Sequence, residues 1–392
     1  MTAPASIEIH GHCAAGFEPV REAFARNFRE HGEIGASVAV CLDGALAVDL
    51  WAGHADADRS RPWDRDEIVN VYSTTKGITA ICAHLLADRG LLDFDAPVAR
   101  YWPEFAHAGK ATLPVRFLLT HQAGLPVIDR PLPRGATFDW ELMVHALEEQ
   151  APVWRPGTRF GYHSVTYGWL VGEVVRRVSG KRIGAFLRDE VTAPLGVDFF
   201  IGTPASEDHR VADTVNAPRP AGGGAEPAVP AIDPDSWAFR TNLPGTSKPG
   251  VGVNGREYRA AEIPAGNGHG NARALATIYG ALARGGELGG VRLLSPAAIA
   301  RAAREVVSGT DAVLGMPSRR SLGFMLPVPG SGDPRGPRAF GHAGRGGSYG
   351  WADPERRVGF GYAMNQLWGG GPDQPDPRAG LLAQAVYASL AS

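Results

Sequence analysis

Val69-Asn70-Val71-Tyr72-Ser73-Thr74-Thr75-Lys76-Gly77-Ile78-Thr79-Ala80 is the stretch on which the reading of this chain turns. It sets a hydroxyl and an amine three residues apart inside an apolar run. Residues at i and i+3 share one helix face, so Ser73 and Lys76 converge on one pocket if the helix begins near Ser73. A serine hydroxyl is a weak nucleophile until a neighbouring group takes its proton. A lysine amine does so only when burial or a nearby cation lowers its pKa toward neutrality. Composition sharpens the point, because only four of the 39 basic residues are lysines and the rest are arginines. Arginine cannot serve as a base, so the choice of lysine at 76 carries chemical information.

Two further elements follow in order. Arg159-Phe160-Gly161-Tyr162-His163-Ser164 precedes an apolar-periodic helix beginning near Trp169, and Phe340-Gly341-His342-Ala343-Gly344-Arg345 lies near the C-terminus. Ser-x-x-Lys, Tyr-x-Ser and His-x-Gly in this order resemble the serine β-lactamase and penicillin-binding-protein superfamily, whose elements are Ser-x-x-Lys, Tyr-x-Asn or Ser-x-Asn, and Lys-Thr-Gly. The segment Phe117-Leu118-Leu119-Thr120-His121-Gln122-Ala123-Gly124-Leu125-Pro126 adds to the likeness, which runs from about residue 17 to the end. Within the superfamily the chain most resembles the family VIII carboxylesterases, which keep the lactamase fold and hydrolyse simple esters.

The resemblance implies an α/β (α+β) chain with an antiparallel sheet flanked by helices and an inserted, mainly helical domain. It implies Ser73 as nucleophile, with Lys76 and Tyr162 as the proton-handling pair, either of them the base. Tyr162 is a poor base at the ordinary tyrosine pKa of about 10, which neighbouring positive charge can lower. By the same resemblance the N–H groups of Ser73 and Arg345 form an oxyanion hole, and Gln122, Ser164, His342, Gly344 and Arg345 contact substrate. The third element departs from the lactamase pattern. His342 and Ala343 replace a permanent cation and a hydroxyl, which suits neutral esters better than the carboxylate of a β-lactam, and Arg345 stands next to them as a compensating charge.

Local patterns give the organisation. Phe17, Val20, Phe24 and Phe28 recur at helical spacing before Gly32. Ala36–Leu42 and Ala45–Trp51 form a hairpin through Asp43-Gly44. A helix from Ser73 ends near Arg89, and Ala272–Arg284 is helical again. Gly323–Val328, Arg338–His342, Ser348–Ala352 and Val358–Met364 read as strands, followed by a helix over Arg378–Leu390. We therefore expect a loose segment at 1–16, a sheet domain from 17–72 plus 285–392, and a mainly helical domain at 73–284. The Pro/Gly-rich tract 203–270 within it either lines the active site or forms a surface insertion.

At 392 residues and 44% hydrophobic content the chain can fill a large core. A net charge of −2 argues against nucleic acid or an anionic membrane as partner, and no apolar run is long enough for a spanning helix. Cys13, Cys41 and Cys82 form no disulfide framework and fit a reducing compartment. The N-terminal stretch lacks a signal-peptide pattern. These features fit a cytoplasmic enzyme, and the resemblance implies that it acts on a small-molecule ester of short to medium acyl chain, with no metal or organic cofactor. A β-lactamase, a D-amino-acid peptidase and an acyltransferase are alternatives on the same fold, and an inactive ligand-binding member is the alternative from another class.

Other signals carry less. Gly346-Gly347-Ser348-Tyr349-Gly350 matches a nucleophile elbow, but a strand rather than a helix is expected after its serine. Gly250-Val251-Gly252-Val253-Asn254-Gly255 spells a dinucleotide fingerprint in a loop-like tract with no helix after it. His10-Gly11-His12-Cys13 has no second ligand cluster to complete a metal site. Trp237, Trp351 and Trp368 are candidate acyl-pocket walls.

Overall fold

The computed structural model describes residues 7–217, 233–369 and 376–391. Nine strands form one antiparallel sheet: β1 (Ile9–Cys13), β2 (Gly35–Leu42), β3 (Ala45–Gly53), β4 (Val307–Thr310), β5 (Pro317–Arg320), β6 (Met325–Leu326), β7 (Phe340–Ala343), β8 (Tyr349–Asp353) and β9 (Val358–Met364). Their spatial order is β1-β3-β2-β9-β8-β7-β6-β5-β4, so the two ends of the chain meet where β2 pairs with β9. The β2–β3 hairpin turns at Asp43 and Gly44, with φ of 51° and 90°. Two successive positive φ values are what a two-residue turn matched to strand twist requires.

Each face of the sheet carries helices. On one, α1 (Glu18–Glu30) and the C-terminal α5 (Arg378–Ala391) bury Val20, Phe24, Leu382 and Val386 against Val38, Val40 and Phe360. On the other lies α4 (Ala272–Ala283), packed on β9, β2 and β8. It approaches closely because the strand facing it lacks side chains. A Cβ at Gly359 would stand 2.1 Å from the Gly280 nitrogen, and one at Gly361 2.1 Å from the Ala272 oxygen. α2 (Thr75–Asp88) is buried at every residue from Thr75 to Leu86 and packs against α3 (Thr166–Ser179) and the end of β7.

Three expectations change. The segment placed at 1–16 as loose contains an edge strand, since Ile9–Cys13 pairs with Val48–Ala52; its polar sequence hid a strand that needs only one buried neighbour. The helix at 272–283, assigned to the helical part, belongs to the sheet, because its register is fixed by the strand glycines rather than by chain proximity. The strands Val307–Thr310 and Pro317–Arg320 went unrecognised, as neither alternates apolar and polar residues. In the tract 203–270, the stretch with Pro218-Arg219-Pro220, Gly222-Gly223-Gly224, Pro227 and Pro230 lies outside the described residues. Its described part forms short helical turns at Ala205–Arg210, Trp237–Arg240 and Arg256–Ala260.

The packing of α4 generates a test. Gly359→Ala should destabilise the protein by about 1–3 kcal/mol through overpacking, seen as a lower urea midpoint. Gly252→Ala, where an added Cβ meets nothing within 4 Å, should leave the midpoint almost unchanged.

Candidate active site

Ser73 does not sit on a helix but in the tight turn Tyr72–Thr74 that leads into α2. In such a turn residues i and i+3 eclipse one another, so the Ser-x-x-Lys spacing still brings the two side chains together. Entry into the turn is strained. Tyr72 holds φ at 45°, an uncommon value for a bulky residue, and its N–H donates to Asn70 Oδ1 at 3.0 Å. The exit is tied by Thr75, whose hydroxyl donates to the Tyr72 carbonyl and accepts from Gly268 N–H at 2.9 Å.

Lys76 Nζ lies 3.1 Å from Ser73 Oγ and 2.8 Å from the Ala265 carbonyl oxygen. It is wholly buried, 4.8 Å from the centre of the Tyr162 ring. Burial, and then the Arg320 cation, hold its pKa well below the usual lysine value. Tyr162 hydrogen-bonds Ser73, and its pKa is pushed up to about 12 by burial, against the pull of that bond and of Arg320. Nearby positive charge does pull this phenol down, through Arg320, but desolvation outweighs it.

Sequence reasoning missed the pair that places Tyr162. Asp311 accepts at Oδ1 from the N–H groups of Tyr162 (2.9 Å), Val313 and Leu314 (3.0 Å each). Its Oδ2 meets Arg320 Nη2 at 3.3 Å, with both side chains buried. The Arg320 guanidinium then lies 5.2 Å from the Tyr162 ring centre. Nothing local marks either residue, since Asp311 is an ordinary turn former and Arg320 is one arginine among many. Behind the phenol, His121 accepts from His163 N–H at 3.1 Å and packs on Tyr162 and Tyr167. Burial holds both imidazoles below their usual pKa.

The third element closes the site. His342 is buried, and its Nδ1 donates to the Ala343 carbonyl at 2.7 Å. Burial first, then the charges of Lys76 and Arg320, push its pKa well down. With the proton on Nδ1, Nε2 carries a lone pair, and that nitrogen has no hydrogen-bond partner. Gly344 is demanded by space, because a Cβ there would stand 2.2 Å from both the Val71 oxygen and Ser348 Oγ. Ser348 is a buried strut: Oγ donates to the Val71 carbonyl at 2.7 Å, and Thr74 Oγ1 donates to the Ser348 carbonyl at 3.1 Å. It opens the strand Tyr349–Asp353, not a helix. The turn Arg345–Gly347 is anchored from below by buried Arg378, which donates to the Gly346 carbonyl at 2.6 Å while pairing with Glu33 and Asp376.

These groups face a cavity of about 670 Å³, lined by Ser73, Tyr162, Ser164, His342, Gly344 and Arg345 among others. The described part of 203–270 forms another wall through Ala238, Thr241, Asn242 and Tyr258. Ser164 is fixed by Thr241 and Asn242, at 2.9 Å each. Gln122 is not in the lining, since its amide oxygen accepts from the Thr120 hydroxyl at 2.9 Å. Nor do the three tryptophans form acyl-pocket walls: Trp351 is buried between Phe360 and Tyr387, Trp237 packs on Trp154, and Trp368 lies by His31. His10-Gly11-His12-Cys13 runs along edge strand β1, and no metal-holding cluster of His, Cys, Asp or Glu occurs among the described residues. A five-residue helix does follow Gly255, contrary to the sequence reading, but a helix so short offers no dinucleotide cradle.

A serine, a buried lysine and a half-buried tyrosine on this sheet-and-helix frame fit a hydrolase of the β-lactamase fold. The Beta-lactamase family matches residues 21–385, and the chain belongs to it. It is 39% identical over 382 residues to the Esterase/beta-lactamase LipL of Mycobacterium tuberculosis, spanning 93% of this chain and 84% of that protein. Among solved structures, a family VIII carboxylesterase superposes with a TM-score of 0.87 at 43% identity, covering 98% of this chain and all of that one. A penicillin-binding protein homolog from Caulobacter crescentus gives 0.86 at 40% identity, covering 97% of this chain and 100% of the other.

The two serines separate cleanly. Ser73→Ala should abolish turnover of a short nitrophenyl ester, a loss on the order of a millionfold. Ser348→Ala should retain most of it and lose only about 1 kcal/mol of stability, for one buried hydrogen bond.

Proposed function

We propose that the chain is a carboxylesterase that cleaves small-molecule esters of short to medium acyl chain through an acyl-enzyme on Ser73. The observation that carries this reading is Lys76, a buried amine with no carboxylate partner, 3.1 Å from Ser73 Oγ. Burial and the Arg320 cation favour its neutral form, which takes the Ser73 proton as the oxygen attacks the ester carbonyl. Tyr162, with a pKa raised to about 12, stays a neutral phenol and passes a proton to the departing alkoxide. Lys76 and Tyr162 then act in reverse as water attacks the acyl-enzyme. The N–H groups of Ser73 and Arg345 receive the oxyanion, while Ser164 and His342 orient the substrate and Gly344 lets the strand approach it. No metal or organic cofactor enters these steps.

His342 supports an ester over a β-lactam. A lysine in its place would offer hydrogen-bond donors and a positive charge, whereas Nε2 offers a lone pair on a neutral ring. A substrate carboxylate beside that nitrogen meets repulsion; of the cations in the lining, Arg320 is already paired with Asp311, and Arg345 is left as the compensating charge. The names of the esterase-like relatives agree with this reading. The unpaired state of Cys13, Cys41 and Cys82 fits a cytoplasmic setting, and no described helix is long and apolar enough to cross a membrane.

Mass spectrometry after brief mixing with a short ester should find the acyl group on a peptide containing Ser73; acylation elsewhere would refute the assignment. Lys76→Arg should be nearly as damaging as Lys76→Ala, since arginine keeps the charge but cannot exchange the proton. In the parent enzyme kcat/KM should rise with pH as Lys76 loses its proton, and level off well below the usual lysine pKa; a profile still climbing near that value would remove Lys76 as base. A short acyl ester should exceed a chromogenic cephalosporin in kcat/KM at one pH. Equal or greater efficiency on the cephalosporin would make lactam hydrolysis the principal activity and leave Ser73 in place.

A further inference from the structure

Arg378 opens helix α5 with its side chain wholly buried, and oxygen acceptors take up all five of its N–H groups. Nε and Nη2 reach Asp376 Oδ1 and Oδ2 at 2.9 and 2.8 Å, and Nη1 reaches Glu33 Oε1 at 2.8 Å. The remaining acceptors are the carbonyls of Gln366, 3.1 Å from Nη1, and Gly346, 2.6 Å from Nη2. One guanidinium thus joins the loop after α1, the exit of β9, the start of α5 and the turn Arg345–Gly347. Only the bond to Gly346 enters the third element of the active site.

That bond acts beyond Gly346 through two peptide planes. A trans peptide is flat, with its C=O and N–H directed oppositely, and no cis bond occurs among the described residues. A Gly346 carbonyl held toward Arg378 therefore sends the Gly347 N–H the other way, where it donates to the Gly344 carbonyl at 3.2 Å. The Gly344 carbonyl shares a plane with the Arg345 N–H, so fixing the one fixes the direction of the other. Gly344 and Arg345 line the catalytic cavity together with Ser73. The turn is also fitted to the groups beneath it. Gly346 holds φ at 84°, a value glycine adopts freely. A Cβ on Gly347 would stand 2.4 Å from Asp376 Oδ2 and 3.2 Å from Arg378 Nη2.

We propose that Arg378 is a positioning residue for the reaction, aiming the Arg345 N–H at the oxyanion through the Gly346 and Gly344 carbonyls. The inference rests on the esterase reading above, in which that N–H receives the oxyanion. Arg378 itself touches no reacting atom. With the turn slack, the ester would bind as before, and the tetrahedral intermediate would lose part of its stabilisation. An Arg378 that only closes the fold would leave the donor in place without it.

A boronic acid separates the two roles. Its boron accepts Ser73 Oγ and becomes a tetrahedral anion, with an oxygen where the oxyanion forms. An ether isostere of the substrate, butyl nitrophenyl ether against nitrophenyl butyrate, binds with no tetrahedral centre. Arg378→Lys keeps the charge but not the fork of donors. Asp376→Asn, at a side chain still 16% exposed, loosens Arg378 with less risk to folding. In Arg378→Lys, kcat/KM on nitrophenyl butyrate and affinity for butylboronic acid should both fall about ten- to a hundredfold, and inhibition by the ether should change less than about twofold. Asp376→Asn should lower the first two by a smaller factor, again equal for both. Gly359→Ala, destabilised through α4, should keep all three near the parent values below its melting transition. Folded variants that retain kcat/KM and boronate affinity overturn the positioning role, as does loss of ether binding in step with the boronate. If Arg378→Lys fails to fold, Asp376→Asn decides alone: equal losses support the role, and no loss overturns it. Boronate inhibition that is absent in the parent, or that survives Ser73→Ala, would instead overturn the esterase reading, and this inference with it.

Discussion

The constraint on which the rest depends is the burial of one amine. Lys76 sits on a helix with no exposed residue for three turns, and no carboxylate compensates it. An ammonium in that position would lose its hydration with only a carbonyl and a hydroxyl in exchange, beside the permanent cation Arg320. Burial and Arg320 thus favour the neutral amine, the form that a general base requires. Stability and chemistry therefore make the same demand, and the neighbourhood supplies it: Ala265 offers a carbonyl acceptor, Ser73 a hydroxyl, Tyr162 an aromatic wall.

Holding Ser73 against that amine requires backbone in an uncommon state. Tyr72 sits in the left-handed region at the turn entrance, and the cost is met by bonds from Asn70, Thr75 and Gly268. Space is equally tight on the far side, where Gly344 and Ser348 bring the end of β7 against Val71 and Thr74. The Asp311–Arg320 pair completes the frame by gripping the Tyr162 backbone with one carboxylate oxygen and a cation with the other. That cation disfavours charge on Lys76, and its attraction for a phenolate is outweighed by burial of the Tyr162 ring. One buried ion pair thus contributes to the state of both proton carriers and to the position of one.

Much of this was legible beforehand, for identifiable reasons. Ser73, Lys76 and Tyr162 are close to apolar runs whose periodicity announces helices, and a lysine among so many arginines stands out. The Asp43-Gly44 turn and the strand Val358–Met364 follow from local rules that tertiary packing has no reason to override. Illegible parts depend on distant partners. Asp311 and Arg320 become meaningful only when β5 lies beside Tyr162. Strand Ile9–Cys13 exists because β3 offers an edge, and α4 joins the sheet because Gly359 and Gly361 make room for it. Gln122 shows the opposite hazard: a segment can resemble a family while one of its side chains turns to a neighbour, here Thr120.

His342 ties these levels together. In the lactamase pattern the third element presents a cation, which needs either solvent or a counter-charge. This site offers neither beside the ring, since Arg320 is a cation already, the carboxylate of Asp311 is committed to it, and the ring is buried. A histidine accepts those terms by remaining neutral, and the Ala343 carbonyl fixes which nitrogen keeps the proton. Nε2 then carries a bare lone pair in place of a donor. On the esterase reading proposed above, this would shift recognition from anions toward neutral groups without moving Ser73, Lys76 or Tyr162. The same burial that disfavours an ammonium at position 76, reinforced by Arg320, accounts for a neutral ring at position 342.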